Sequence, residues 1–416
     1  MKKPASSDRI KRDIEAISLS AMRNGDGITR LSYSTEHAMA IRYLACECHQ
    51  LGMSCHLDGI GNFIARLEND ETACKSAYCL GSHIDSVING GKFDGTAGII
   101  AGIETLRILT ERGVKVKHPL QLIAFTEEEG VRFNAALAGS RFFTGEFGTE
   151  ILKTWRTPED DLLEALLTDF EKNLKDVLDG TLPKSCRNMD FFIEPHVEQG
   201  PVLTESGDIL GIVTSITGTS MTEITFSGEA NHAGTTPMGS RKDPVRGLIY
   251  VANLLEKRIQ KSGNFIATIG KIQLEPNVSN VIPSKANFTV DLRSAESDVL
   301  CTLLQELEDW CHQAAQTWSL QYKIRTGHKV MPTEMDPQVQ ACLMECARKR
   351  GVPSRFMTSG AGHDALSMSA ICSVGMIFVP SIGGKSHCPE ESTNFDHLAL
   401  AAEILADFIT AMGSRT

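Results

Sequence analysis

Four segments of this chain share one format, in which an apolar, strand-like run ends abruptly in side chains able to bind a metal. They are CLGSHIDSV, LIAFTEEEG, FFIEPHVEQG and MIFVPSIGGKSHCPEE. Around them, short β-like runs alternate with amphipathic helical ones, the rhythm of a mostly parallel sheet covered by helices. In such sheets the carboxyl ends of the parallel strands line the ligand crevice. The four ends are therefore predicted to converge, although they stand far apart in sequence.

The elements follow from the same patterning. Residues 35–51 predict a helix capped by Ser34 or Thr35, with Ile41, Leu44, Ala45, Cys48 and Leu51 on one face. CHLDGIGNFIARLE and SAYCLGSH read as strands, TAGIIAGIETLRILTERG as a helix, HPLQLIAFTEEEG as a strand, and 151–189 as a charged helical stretch before the strand MDFFIEPHVEQG. After Gly211 the order becomes β-α-β-β-α-β. A strand over 212–228, the helix DPVRGLIYVANLLEKRIQK, the strands NFIATIGKIQLEP and KANFTVDLRS, the helix SDVLCTLLQELEDWCHQAAQTWS and the strand LQYKIRT follow in turn. Such a unit makes a small antiparallel sheet with two helices on one face. From 329 the helix QVQACLMECARKRG, the strand SVGMIFVPSI and the helix HLALAAEILADFITAM restore the first pattern. The expected fold is α/β: a mixed, mostly parallel sheet with helices on both faces, built from 1–211 and 329–416, and interrupted by an inserted α+β domain at 212–328.

With 42% hydrophobic and 22% charged residues, the 416-residue chain has the composition of an ordinary globular protein. A net charge of -11 argues against nucleic acid or an anionic membrane as a general partner, since both reward clustered Lys and Arg. The N-terminus lacks an apolar signal region and no window resembles a membrane span, so a cytoplasmic protein is expected. Of the 12 cysteines, Cys46, Cys48, Cys79, Cys301, Cys342, Cys346 and Cys372 lie in apolar periodic segments and none forms a CxxC; reduced core thiols are expected.

The chemistry concentrates in a few clusters. In GSHIDSVINGGKFDG, residues 81–95, His83, Asp85 and Asp94 sit among glycines, and Gly90 with Gly91 is expected to let the loop double back. Glu127, Glu128 and Glu129 repel one another, and a divalent cation is an economical way to hold such a triplet in a crevice. Together the histidines and carboxylates match the ligand set of a two-metal hydrolytic site. ANHAGTTPMGSRKD surrounds His232 with turn-forming residues, and TSGAGHDAL sets Gly360 and Gly362 beside His363 and Asp364, where backbone can approach a ligand. Arg293, at a strand end, carries the planar fork that a substrate carboxylate needs, and Asn280 lies just before that strand.

GSHIDSVINGGKFDG, FTEEEGVRF, EPHVEQGPVL, NHAGTTPM, SGAGHD and SHCPEE, in that order, resemble the hydantoinase/carbamoylase amidohydrolases of the M20 metallopeptidase superfamily. The resemblance runs from about residue 30 to residue 410. It implies two divalent metal ions per subunit, zinc or else manganese, cobalt or nickel. Asp94 would bridge them, His83 and His196 would complete one, and Glu129 with His387 the other. Glu128 would be the general base and Asp85 the carboxylate that orients His83. Gln199, His232, Asn280, Arg293 and Gly360 would contact substrate, with His232 also stabilising the tetrahedral intermediate and Arg293 gripping a carboxylate. The inserted domain would serve as a lid and as the interface of a homodimer. His196, where the superfamily's peptidases typically carry a carboxylate, favours the amidohydrolases over a dipeptidase or aminoacylase. The implied substrate is a small linear ureido acid, an N-carbamoyl-L-amino acid ahead of allantoate, with ureidoglycolate and β-ureidopropionate as further alternatives. A non-catalytic scaffold on the same fold would predict loss of a ligand, and all five are present.

Overall fold

Four parallel strands lie side by side at the centre of the molecule's largest sheet, in the order Leu120–Phe125, Ala77–His83, Met189–Val197 and Ser373–Val379. They belong to a computed structural model that describes residues 4–68, 72–73 and 75–415. Phe63–Leu67 and then Ser54–Leu57 extend the sheet antiparallel on one side. Leu210–Ile216 extends it antiparallel on the other, with Ser354–Ser359 paired to that strand. Every residue of Ala77–His83 and Leu120–Phe125 is buried, which requires cover on both faces. The helix Thr96–Glu111 packs on three of the parallel strands and on the C-terminal helix Phe395–Arg415.

The helix Thr35–Gln50 shows how the sequence sets these elements. The Ser34 hydroxyl accepts the His37 N–H and starts the helix, and Ile41, Leu44, Ala45 and Cys48 are buried along one face. Each buried Ile or Leu contributes roughly 1.5–3 kcal/mol relative to exposure, so this face holds the helix more than propensity does.

The chain divides into two compact units, Met1–Thr214 with Met335–Thr416, and Ser215–Glu334. In the smaller, the strands run Ile266–Glu275, Lys285–Ser294, Gly218–Ser227 and Gln321–Val330 across an antiparallel sheet. Alternate residues of Lys285–Ser294 are buried. Among them, Phe288, Val290 and Leu292 share a core with Val251 of the helix Pro244–Ser262 and with Leu303 and Leu307 of the helix Ser297–Trp318.

Three expectations need correction. The strand expected over 212–228 is two strands, parted at Thr217: Leu210–Ile216 pairs with Ser373–Val379 in the large sheet and Gly218–Ser227 lies in the small one. The division between units therefore falls after Thr214 and after Glu334, because a continuous β-like run carries no mark of changing sheets. The stretch 151–189 is helical only at Ile151–Thr154, Leu163–Leu174 and the single turn Lys184–Arg187. The described cysteines are free, but Cys46 and Cys301 are exposed. Cys46 stands two positions from buried Cys48 and so faces the opposite side of its helix. Among the described residues no helix is long and apolar enough to cross a membrane.

Candidate metal centre

The carboxyl ends of the four parallel strands bring the predicted ligands together. His83 ends Ala77–His83, Glu127–Glu129 follow Leu120–Phe125 after Thr126, His196 lies next to the end of Met189–Val197, and His387 lies on the loop beyond Ser373–Val379. Asp94 closes the loop from His83, just before the helix Thr96–Glu111. Donor atoms lie within 4.8 Å of one another in three overlapping groups: His83, Asp94 and His196; His83, Glu128 and Glu129; Asp94, Glu129 and His387.

Asp94 belongs to two of these groups and joins their histidines. Its Oδ1 is 3.3 Å from His83 Nε2 and 3.2 Å from His196 Nε2, while its Oδ2 is 3.1 Å from His387 Nε2. On the far side of each ring, His83 Nδ1 is 3.1 Å from the Asp85 carbonyl and His196 Nδ1 is 2.8 Å from the Val197 carbonyl. Carbonyls only accept, so both rings carry a proton on Nδ1 and can turn an Nε2 lone pair towards Asp94, as metal-ligating histidines do. Lone pairs facing a carboxylate oxygen repel unless a proton or a cation lies between them. Glu129 Oε1, buried without a hydrogen-bond partner, is a further acceptor in want of a positive charge. This oxygen and imidazole set fits divalent cations.

The electrostatics carry the same strain. Burial alone would lower the His83 pKa, but Glu128, Asp94 and Asp85 outweigh it and push the imidazole up. Burial would raise Asp94, yet His196, His387 and His83 hold its carboxyl well below the usual range. Burial, reinforced by Asp94, lifts Glu129 to about 7. Glu128 is lifted well above its ordinary value by burial, with Glu129, Asp364 and Asp85 adding to the shift against His83. A hydrogen bond to Asp94 raises His387 to about 9.

The acidic triplet divides its labour. Glu127 is buried with φ +56°, and its Oε1 accepts the Arg132 and Phe133 N–H groups at 2.8 and 2.7 Å. That fastens the loop and leaves Glu128 and Glu129 facing the histidines. Asp85 departs from its expected part: the His83 ring meets its backbone carbonyl, while the carboxylate lies 3.7 Å from Nδ1. The carboxylate instead accepts the N–H groups of Glu128 and Glu129, both at 3.2 Å. The 81–95 loop also turns otherwise than expected. Asn89, not Gly90 or Gly91, takes the positive φ, at +54°. Gly95 has φ +62°, and a Cβ there would fall 2.5 Å from the His83 ring.

The residues expected to contact substrate are divided between the two units. In the larger, Gln199 Nε2 donates to Asp94 Oδ2 at 2.8 Å, so it touches the ligand cluster itself. Gly360 is exposed just past Ser354–Ser359, with open space where a side chain would be. In the smaller, Asn231–His232 pairs with Val281–Ile282, and the Ala233 N–H donates to the Asn280 carbonyl, which brings His232 and Asn280 together. His232 Nδ1 accepts the Gly234 and Thr235 N–H groups at 3.0 and 3.2 Å, so the neutral ring carries its proton on Nε2. Arg293 is paired with Asp291 at 3.0 Å. Sequence reasoning missed Gly95 and gave no part to Ser386 or Glu391, although SHCPEE contains both. The Ser386 hydroxyl lies 3.1 Å from Asp94 Oδ2.

Histidines and carboxylates gathered at the strand ends of an α/β sheet, with a buried acid beside them, are the equipment of a metal-assisted hydrolase. The chain belongs to peptidase family M20/M25/M40, whose model matches residues 79–411. It is 33% identical over 411 residues to the N-carbamoyl-L-amino-acid amidohydrolase of Paenarthrobacter aurescens, covering 98% of each chain. It is 35% identical over 385 residues to the allantoate amidohydrolase of Bacillus subtilis, covering 92% of each. The solved structure of an amidase of the hydantoinase/carbamoylase family from Burkholderia multivorans matches with a TM-score of 0.91 at 29% identity, covering 98% of each chain.

Proposed function

We propose that this protein is a metal-dependent amidohydrolase of linear ureido acids, acting first on N-carbamoyl-L-amino acids and second on allantoate. The observation that carries the reaction class is Asp94, whose two oxygens face separate histidine sets with Glu128 alongside. The substrate class rests on the relatives named above, with the allantoate relative the reason for keeping the second substrate.

His83, His196 and Asp94 would hold one divalent ion, and Glu129, His387 and the shared Asp94 the other. When bound, such ions polarise the ureido carbonyl, acidify water and neutralise charge developing on oxygen. Glu128, 3.7 Å from His83 Nε2 and lifted by burial, takes a proton from the attacking water and returns it to the departing nitrogen. His232 donates its Nε2–H to the oxyanion. The Arg293 fork, steadied by Asp291, grips the substrate carboxylate. Gln199, Asn280 and Gly360 supply the remaining polar contacts. One water and one N-carbamoyl acid yield the amino acid, ammonia and carbon dioxide. The unit Ser215–Glu334 would act as lid and dimer interface.

The test is an ammonia-release screen of protein reconstituted separately with zinc, manganese, cobalt and nickel. The substrates are N-carbamoyl-L-amino acids, allantoate, ureidoglycolate, N-carbamoyl-β-alanine and a dipeptide. Turnover of the ureido acids is expected; hydrolysis of the dipeptide alone would overturn the reading.

A further inference from the structure

Glu391 is a buried carboxylate in contact with two ligand-bearing segments and is itself outside the ligand groups. Its Oε2 accepts the backbone N–H of Phe93 at 3.1 Å and of Asp94 at 3.2 Å. Its Oε1 is 3.0 Å from the hydroxyl of Ser386, the residue before His387. That hydroxyl also reaches Asp94 Oδ2, the oxygen that faces His387. The main chain makes room for this arrangement at Gly91, where a Cβ would fall 1.9 Å from Glu391 Oε2.

The two halves of the centre are supported differently. His83 and His196 are aimed by backbone carbonyls close to each in sequence, Asp85 and Val197. His387 sits with φ +56° on a loop and is half exposed, so little in its own segment fixes its distance from Asp94. Glu391 and Ser386 form the hydrogen-bonded tie between that loop and the Asp94 loop.

We propose that Glu391 is a positioning residue that sets the spacing of Asp94 and His387 and so selectively fixes the ion held by Asp94, Glu129 and His387. This rests on the two-ion reading above. Side chains that orient ligands from behind commonly govern metal affinity by about 10–100-fold. The role is one of hydrogen bonding and not of charge. A glutamine at 391 can still accept both N–H groups through its carbonyl oxygen and donate its amide to Ser386.

The experiment measures binding of cobalt(II) to the metal-free full chain by chelator competition and visible absorption, with no substrate present. Wild type should bind two ions. Glu391→Ala should bind the first within about threefold of wild type and the second about 10–100-fold more weakly, with the absorption band of the second ion altered. Glu391→Gln should restore both. Gly91→Ala, which displaces the carboxylate without removing it, should reproduce the alanine defect and serves if Glu391→Ala does not fold. Wild-type binding of both ions by Glu391→Ala and Gly91→Ala, or failure of Glu391→Gln to rescue, overturns the inference. A wild type that binds only one ion overturns the two-ion reading instead.

Discussion

Asp94 turns one oxygen to His83 and His196 and the other to His387, so the geometry of the ligand cluster depends on single atoms. Histidine and carboxylate at a strand end are visible in one dimension, and His83, Asp94, Glu129, His196 and His387 do assemble. What could not be read is which atom does what. Nothing in SHIDS says that Asp85 offers its carbonyl to the imidazole and its carboxylate to the next strand's loop, because that division depends on the height at which neighbouring strands end. Two substitutions test the residue scale. Glu128→Ala should lower kcat by about 10²–10⁴-fold, the range for a lost general base, while metal content measured by atomic emission stays at the wild-type value; unaltered turnover would remove Glu128 from the reaction. Gly95→Ala asks for a left-handed alanine whose Cβ meets the buried His83 ring at 2.5 Å. It should cost at least about 2 kcal/mol in urea unfolding and weaken metal binding, and a neutral result would mean that the loop relaxes freely.

Elements were legible where a burial period exists and illegible where strands only adjoin. The helix Thr35–Gln50 follows its apolar face and its Ser34 cap, whereas the break at Thr217 leaves no trace in a run of β-like residues. The same helix carries a pH response. His37 is fully buried, stacks on Phe170 at 4.8 Å, and accepts the Tyr33 N–H on Nδ1 at 3.0 Å. Burial, with Arg30 and Arg132 adding to it, lowers its pKa from 6.5 to about 3. Between those values the unfolded chain binds a proton that the folded chain refuses. The contribution of His37 is therefore complete above about pH 6.5 and is lost as pH falls, by up to about 1.4 kcal/mol per pH unit. In metal-free protein, urea midpoints measured from pH 7 to 4.5 should fall less steeply for His37→Phe than for wild type. The variant starts lower because the Tyr33 N–H loses its acceptor. Equal slopes would show that another group takes up the proton.

At the scale of the whole molecule, the chain forms two compact units, the smaller inserted into the sequence of the larger. The change of pattern near Gly211 announced the second unit, but its limits moved to Ser215 and Glu334, because the last strand before it belongs to the large sheet. All five predicted ligands and Glu128 lie in the larger unit, and His232, Asn280 and Arg293 lie in the smaller. Each unit has its own core, so a surface substitution in the smaller one should not disturb the ligands. Substitution of Arg293 is therefore a test of substrate binding apart from the ligand cluster. Its guanidinium is more than a third exposed and pairs with Asp291, so Arg293→Ala should shift the unfolding midpoint little, as exposed ion pairs contribute about 0–1 kcal/mol. The variant should retain the wild-type metal content. If Arg293 grips the substrate carboxylate, loss of that charge-assisted fork costs roughly 1.5–3 kcal/mol. That corresponds to a KM about 10–150-fold higher, with a smaller change in kcat. Arg293→Lys, which keeps the charge but not the fork, should recover only part of the loss. Steady-state kinetics on an N-carbamoyl-L-amino acid give both parameters, and a KM unchanged in Arg293→Ala would assign the carboxylate to another residue.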